Sequence, residues 1–398
     1  MDVRDKKQKE VVDLYIEKSM LRSTLVLGTG FGKSKVVCDI IKRTKPTEVL
    51  ILVNSLDLKG NMWPHELEKW GLGKFPYRVE TYQTVYKWSP DEVDLSDTLV
   101  IADEVDFSAD TLEYSKFFDN FPMVKTLGVT GFITEKKRMW FDIFMPIIYE
   151  YSTGDAQDDE LLNKVQFKFI KYELSQEKTL RVDYKKNGQD AHFMTSESAS
   201  YDYGHKQFLK LVAEQGHLRT TKMLYPKEEY DEKYEKLEKR ILFAINNRNK
   251  ILLNSDTSAR IARELKEEVL KQHEDNKVIV FSVRTKQSEK ICDNVYNGKE
   301  KGAVNEEKFL NFNSSNIRDL GVCSKVNRGV NFNDLNTAIF ETFYSSDTDM
   351  HQRLGRLTRL HRGDVATAYI LLPYYREKKD DEWVLSETQQ VKWARKAL

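Results

Sequence analysis

The segment "TLVLGTGFGKSKVVCDIIKR", Thr24 to Arg43, restricts the fold more than any other part of the chain. A short apolar run, "TLVLG" (24–28), passes through a glycine-rich turn into a segment that places Val36, Val37, Ile40 and Ile41 on one helical side. Four more runs of this kind follow: "VLILV" (49–53), "YRVETY" (77–82), "TLVIAD" (98–103) and "TLGVT" (126–130). Buried strands alternating with amphipathic helices predict a wound α/β sheet. Ligands of such sheets bind at the carboxyl ends of the strands, so the turns after these runs are where chemistry is expected.

With 398 residues, 40% apolar and 32% charged, the chain has material for two or three cored domains and does not have the composition of a disordered tail. Lysine plus arginine (63) balances aspartate plus glutamate (63), so affinity for a polyanion has to come from a local groove. Cys38, Cys292 and Cys323 are far apart and lack paired spacing, which argues against a disulfide framework or a structural zinc site. The charged start "MDVRDKKQKE" has no apolar signal core, and no segment approaches the roughly 18 apolar residues of a membrane span. A cytoplasmic setting is expected, with no membrane partner.

Four regions are expected: a nucleotide-binding α/β domain over 1–150, an accessory or linking region over 151–245, a second α/β domain over 246–375 and a tail over 376–398. In the linking region, Leu180, Val182 and Tyr184 alternate before Asn187-Gly188, with Ala191 and Phe193 beyond. This predicts a β-hairpin with a primed turn. "KEEYDEKYEKLEKRILFAI" (227–245) reads as a helix. After 250, "SDTSARIARELKEEVLKQH" reads as a helix with a stripe at Ile261, Leu265 and Val269, and "KVIVF", "LGVCS", "TAIFET" and "TAYILL" read as strands.

Three motifs carry chemistry. In "LGTGFGKSK" a glycine turn opening a helix points N–H groups and a positive dipole end at phosphate. Lys33 would reach the β/γ-phosphates and Ser34 would hold Mg²⁺. Against the spacing G-x-x-x-x-G-K-[ST], Leu27 stands where the first glycine belongs. "LVIADEVD" delivers Asp103, suited to Mg²⁺, and Glu104, suited to polarising the attacking water, to the same sheet edge. "HQRLGRLTRL" sets Gln352, Gly355, Arg356 and Arg359 in the spacing Q-x-x-G-R-x-x-R. Its arginines would stabilise a transferring γ-phosphoryl, the plainer alternative being a basic amphipathic helix.

Together and in this order these motifs resemble the superfamily 2 helicases and translocases. The resemblance implies two RecA-like (P-loop) domains with mainly parallel sheets, and ATP with Mg²⁺ as ligands. In that family the P-loop commonly reads T-G-x-G-K-[ST], as Thr29, Gly30, Gly32, Lys33 and Ser34 do here, so Leu27 counts little against ATP. Gln8 resembles the glutamine that reads adenine. "LVNSLDLKGNMWPHELEKW" and "ETYQTVYK" resemble backbone-tracking segments, with Ser55, Thr81 and Gln83 as nucleic-acid contacts; Trp63 and Trp70 read as core residues rather than base-stacking platforms. "VCSKVNRGVNF" resembles the coupling segment, with Ser324 toward nucleic acid and Gly329 and Asn331 toward nucleotide; many relatives carry aspartate where Asn331 stands.

One departure concerns coupling. The family's [ST]-[AG]-T element reads Thr130-Gly131-Phe132, and Phe132 has no hydroxyl to donate. The resemblance leans toward DNA translocases, including phage branch-migration helicases, because Gln352 and the tryptophan-bearing segment differ from the DEAD-box pattern. An RNA helicase and a nucleotide-gated nucleic-acid-binding protein stay open as alternatives. No nuclease, glycosylase or zinc constellation is legible, and the sequence names no oligomeric or nuclease partner.

Overall fold

The computed structural model describes residues 3–28, 30–56, 58–186, 189–297, 302–323, 332, 334–343, 357 and 365–397. These fall into two compact units, one formed by the first part of the chain up to Val165 and one formed mainly from Gln166 onward.

The first unit is built on six strands: β1 (Arg22–Leu27), β2 (Glu48–Val53), β3 (Tyr77–Thr81), β4 (Thr98–Asp103), β5 (Thr126–Thr130) and β6 (Ile147–Tyr151). They lie in the order β3-β2-β4-β5-β1-β6, and every pairing is parallel. Five of the six follow the apolar runs read from the sequence. Alternate residues of each run go to opposite faces, which is why the runs are apolar throughout rather than every second residue. Leu25, Leu27, Ile51, Val53, Ile101 and Val129 pack under three helices, α1 (Val3–Lys18), α2 (Lys33–Thr44) and α3 (Trp63–Lys69). Val26, Leu50, Leu52, Val100 and Ala102 pack on the other face against Tyr82, Phe117, Phe118 and Phe141. At about 1.5–3 kcal/mol for each large apolar side chain buried, this two-faced core is what holds the strand ends in register.

The second unit begins with β7 (Val165–Glu173) and an antiparallel hairpin, β8 (Leu180–Lys186) and β9 (Gln189–Thr195). The hairpin falls where alternation placed it; its Asn187-Gly188 turn lies outside the described residues. Two long helices follow, Glu197–Thr220 and Lys227–Leu252, packed through Leu211, Leu237, Ile241 and Ala244. They approach closely at Gly204, where a Cβ would stand 3.3 Å from the Cα of Arg248. The helix Asp256–Gln272 starts at Ser255, whose hydroxyl accepts the Ser258 N–H at 3.1 Å.

The remaining strands are β10 (Val278–Ser282), β11 (Val295–Tyr296), β12 (Asp319–Cys323), β13 (Thr337–Phe340), β14 (Ala366–Lys379) and β15 (Glu382–Glu387). Their order is β11-β12-β10-β13-β14-β15, parallel except for the last pair, and β7 also pairs with β14. Residues 376–398, read as a tail, carry the end of β14, β15 and the helix Gln389–Ala397. The architecture is mixed α/β with two mainly parallel sheets. No described helix is long and apolar enough to cross a membrane.

Candidate nucleotide site

The carboxyl edge of the first sheet gathers most of the described site residues. Beyond Leu27, the Gly28 N–H donates to the Tyr151 carbonyl at 2.8 Å, which pins the turn to the end of β6. Phe31, 2% exposed, sits 5.0 Å from the Tyr151 ring and anchors the middle of the turn. Gly30 and Gly32 have φ of +89° and +92°, a region that only glycine enters freely. A Cβ on Gly32 would also stand 2.4 Å from Nε2 of Gln8, and one on Gly30 would stand 2.6 Å from Cδ2 of Leu162. The backbone therefore needs both glycines, whatever the ligand.

Gly32 is the N-cap of α2 and brings no side chain to cap it, so the first N–H groups of a 12-residue helix point out of the edge. Lys33 and Ser34 are its first two residues, both half-buried. Gln8 reaches across from α1: its Nε2 donates to the Phe31 carbonyl at 2.6 Å, while its Oε1 is buried without a hydrogen-bond partner. Thr29 lies outside the described residues.

Two strands away across β5, Asp103 ends β4 and is 7% exposed. The Trp63 indole Nε1–H donates to its Oδ2 at 3.0 Å, and the Tyr82 hydroxyl donates to its backbone carbonyl at 2.9 Å. Burial, and then the charge of Glu104, push the Asp103 carboxyl up to about 6, against the pull of Lys33 and the Trp63 bond. Glu104 follows with φ of 49°, in the left-handed region. Its Oε1 lies 3.2 Å from the Lys33 ammonium and its Oε2 lies 3.4 Å from the Thr130 hydroxyl. Asp106, the last acid of "DEVD", is 1% exposed; Thr130 donates to its Oδ1 at 2.8 Å and Lys137 to its Oδ2 at 3.1 Å. Burial and the Glu104 charge raise its carboxyl as well.

Three carboxylates within four residues thus crowd one strand end, and a cation there would relieve their mutual repulsion. Among the described residues no group of three or more acidic, histidine or cysteine side chains is arranged to hold a metal. A lone carboxylate and a hydroxyl are a donor set that Mg²⁺ accepts, because it keeps waters and phosphate oxygens and takes only one or two protein ligands. Asp103 and Ser34 are of the right chemistry for that share. The orphaned Oε1 of Gln8 is an acceptor of the kind that an adenine amino group satisfies.

Trp63 is 1% exposed and Trp70 half-buried, both in the core beneath α3, as read from the sequence. The bond from Trp63 to Asp103 was not legible, since nothing in "NMWPHEL" names an acid 40 residues away and an indole reads as packing alone. Trp63→Phe keeps most of the packing and deletes the donor. It is expected to cost about 1.5–3 kcal/mol, the range for hydrogen bonds to charged groups, read from the urea midpoint at unchanged m-value. A change below about 0.5 kcal/mol would mean that the bond contributes nothing.

The residues expected to track a nucleic-acid strand stand at the same edge, beyond β2 and β3. Ser55 is half-buried, and its hydroxyl accepts the Leu58 N–H at 3.4 Å, capping the short π-helical turn Leu58–Met62. Thr81 is buried, with its hydroxyl 3.0 Å from that of Thr84, whereas Gln83 is exposed. Between them Tyr82 is fully buried and holds the Asp103 carbonyl, so this segment is bonded directly to the acidic strand end. Ser324, Gly329, Asn331, Gln352, Arg356 and Arg359 lie outside the described residues.

Residues 232–361 match the helicase conserved C-terminal domain. This span is about a third of the chain and includes every one of those six positions in its sequence. No curated protein matches the chain. Among solved structures, the ATP-dependent type ISP restriction-modification enzyme LlaBIII bound to DNA shares 15% identity over 94% of this chain, with a TM-score of 0.56. This chain spans only 27% of that enzyme. Dbp5 from S. cerevisiae, bound to RNA and ADP BeF3, shares 10% identity over 98% of this chain and 86% of its own, with a TM-score of 0.52. The helicase domain of Hef from Pyrococcus furiosus is 15% identical over 97% of both chains, with a TM-score of 0.49. At such identities the likeness to LlaBIII and Dbp5 is one of fold, and the fold is that of two RecA-like α/β domains.

Proposed function

We propose that the protein is an ATP-dependent superfamily 2 helicase or translocase acting on DNA. The observation that carries this reading is the convergence of the Gly30–Gly32 turn, Lys33, Asp103 and Glu104 on one edge of a parallel sheet, in a chain whose later part matches a helicase C-terminal domain. In this reading the N–H groups of α2 and Lys33 hold the phosphates, and Gln8 recognises the base. Ser34 and Asp103 would hold Mg²⁺, which neutralises charge on the phosphate oxygens. Glu104 orients and deprotonates the attacking water, Arg356 and Arg359 meet the γ-phosphoryl with Gln352 beside them, and Thr29, Gly329 and Asn331 complete the nucleotide contacts. Ser55, Thr81, Gln83 and Ser324 hold a strand through its phosphates, without base readout.

The preference for DNA rests on Gln352 and the tryptophan-bearing segment. LlaBIII is bound to DNA and Dbp5 to RNA, so the structural likenesses favour neither polymer. The test is ATP turnover with no polymer, single-stranded DNA, duplex DNA, forked DNA and RNA side by side, with displacement of a labelled strand from the fork. Turnover raised at least about tenfold by DNA and not by RNA is expected. Stimulation by RNA alone would reassign the polymer, and no turnover with any of them would overturn the enzyme reading.

Phe132 supports one second reading, a nucleotide-gated binding protein. Thr130 keeps its hydroxyl on Asp106 despite the change two residues later, and the carbonyl of Phe132 lies 3.4 Å from that hydroxyl. ATP-dependent DNA affinity without strand displacement in the same assay would favour it.

A further inference from the structure

The acidic strand end is braced from a helix to which no role has been given. Lys137 lies in the first turn of the helix Glu135–Phe144, which is anchored in the core by Phe141 at 0% exposure. Its ammonium donates to Asp106 Oδ2 at 3.1 Å, to the Asp106 carbonyl at 3.0 Å and to Asp110 Oδ2 at 2.7 Å. All three of its protons are thereby used. The side chains of Lys137 and Asp106 are only 10% and 2% exposed, so both charges are largely out of water. A desolvated ion pair contributes little net stability over apolar packing of the same volume, and its value lies in fixing one arrangement.

What it fixes is the direction of a single proton. Thr130 is 0% exposed and has one hydroxyl hydrogen, with three acceptors in reach: Asp106 Oδ1 at 2.8 Å, Glu104 Oε2 at 3.4 Å and the Phe132 carbonyl at 3.4 Å, of which the carboxylates are the stronger. The shorter contact takes the proton. That choice depends on Asp106 staying where Lys137 holds it. If Asp106 moves, the hydroxyl can rotate to Glu104 and draw its carboxylate toward β5, away from the Lys33 side.

We propose that Lys137 is a positioning residue for ATP turnover, acting through Asp106 and Thr130 on the orientation of Glu104. This rests on the ATPase reading above. Among the described residues the hydrogen bonds and ion pairs of Lys137 go to Asp106 and Asp110, not to the glycine turn or α2, so nucleotide affinity is expected to survive its replacement. A displacement of about 1 Å in a catalytic group lowers turnover about 10²-fold.

The experiment compares Lys137→Met, Lys137→Arg, Thr130→Val and the Lys137→Met/Thr130→Val double variant in the full chain. It measures kcat and KM for ATP with DNA, the Kd of a fluorescent ATP analogue and the melting temperature. Lys137→Met is expected to lose about 10²-fold in kcat with KM and Kd within about threefold, and Lys137→Arg to recover at least tenfold of it. Thr130→Val removes the hydroxyl that would pull on Glu104, so the double variant should turn over as fast as Thr130→Val alone and at least tenfold faster than Lys137→Met. If Lys137→Met fails to fold, Lys137→Gln takes its place, with the same loss and the same rescue by Thr130→Val expected.

A kcat within twofold of wild type in Lys137→Met, or a double variant no faster than Lys137→Met, would overturn the proposal. So would additive losses, or a joint fall of kcat and nucleotide affinity that tracks the unfolded fraction and is not rescued by arginine. Wild type without turnover would instead remove the ATPase reading itself, and this inference with it.

Discussion

Lys33→Ala is expected to lose at least about 10²–10³ in kcat for ATP, the scale of removing one charge-stabilising donor from a transition state. The structure shows why the loss cannot be assigned to unfolding. The Lys33 ammonium lies 3.2 Å from Glu104, with the two side chains 23% and 16% exposed, so the pair is partly screened and worth about 1 kcal/mol. A domain stable by about 5–15 kcal/mol remains folded after losing that much. A thousandfold fall in rate corresponds to about 4 kcal/mol, several times the stability cost. The measurement is steady-state ATPase with saturating DNA, beside a thermal melt. Wild-type turnover in this variant would sink the assignment of the glycine turn as the phosphate site.

The same residue illustrates what the sequence could and could not disclose. "LGTGFGKSK" and "IADEVD" were legible as a site because strand period and a helix start place them on the same sheet edge. The ion pair between Lys33 and Glu104 was not, since 71 residues separate the partners and nothing in either motif names the other. Leu27, which looked like a defect in the P-loop spacing, is the last residue of β1 and fully buried in the core. The glycines that the turn needs include Gly30 and Gly32, whose positive φ strains any residue with a side chain, and Gly28, where a Cβ would stand 2.9 Å from the Thr153 backbone nitrogen.

The supports of the site were harder to read. Trp63, Tyr82 and Lys137 sit 40, 21 and 31 residues from the acids they hold. Each has a plainer reading from sequence: an indole and a phenol look like core, and a lysine in a charged helix looks solvated. Only the fold shows that the polar tip of each core residue is turned toward the strand end. The helix Glu197–Thr220 also escaped the sequence reading. Gly204 and Gly216 interrupt it and its apolar stripe is weak, so packing on Lys227–Leu252 at Leu211, rather than local propensity, makes it helical.

Glu104→Gln is expected to lower kcat about 10²–10⁴-fold, the range for a general base, with nucleotide affinity little changed because glutamine keeps the shape of the side chain. The backbone offers an independent check. A φ of 49° costs a residue with a side chain about 1–3 kcal/mol, a strain that persists where function demands that residue. Glutamine inherits the strain, whereas glycine is free of it. Glu104→Gly should therefore lose turnover as Glu104→Gln does, yet gain about 1 kcal/mol on the relaxed backbone, offset in part by the lost pair with Lys33. Both variants are measured by ATPase and by denaturant unfolding. Matched losses of kcat with the glycine variant at least as stable as the glutamine one would show a residue kept for its carboxylate at the expense of its backbone. A glycine variant less stable than the glutamine one by more than about 1 kcal/mol would mean that the Glu104 side chain holds the strand end in place, and the strain at this position would then need a structural explanation.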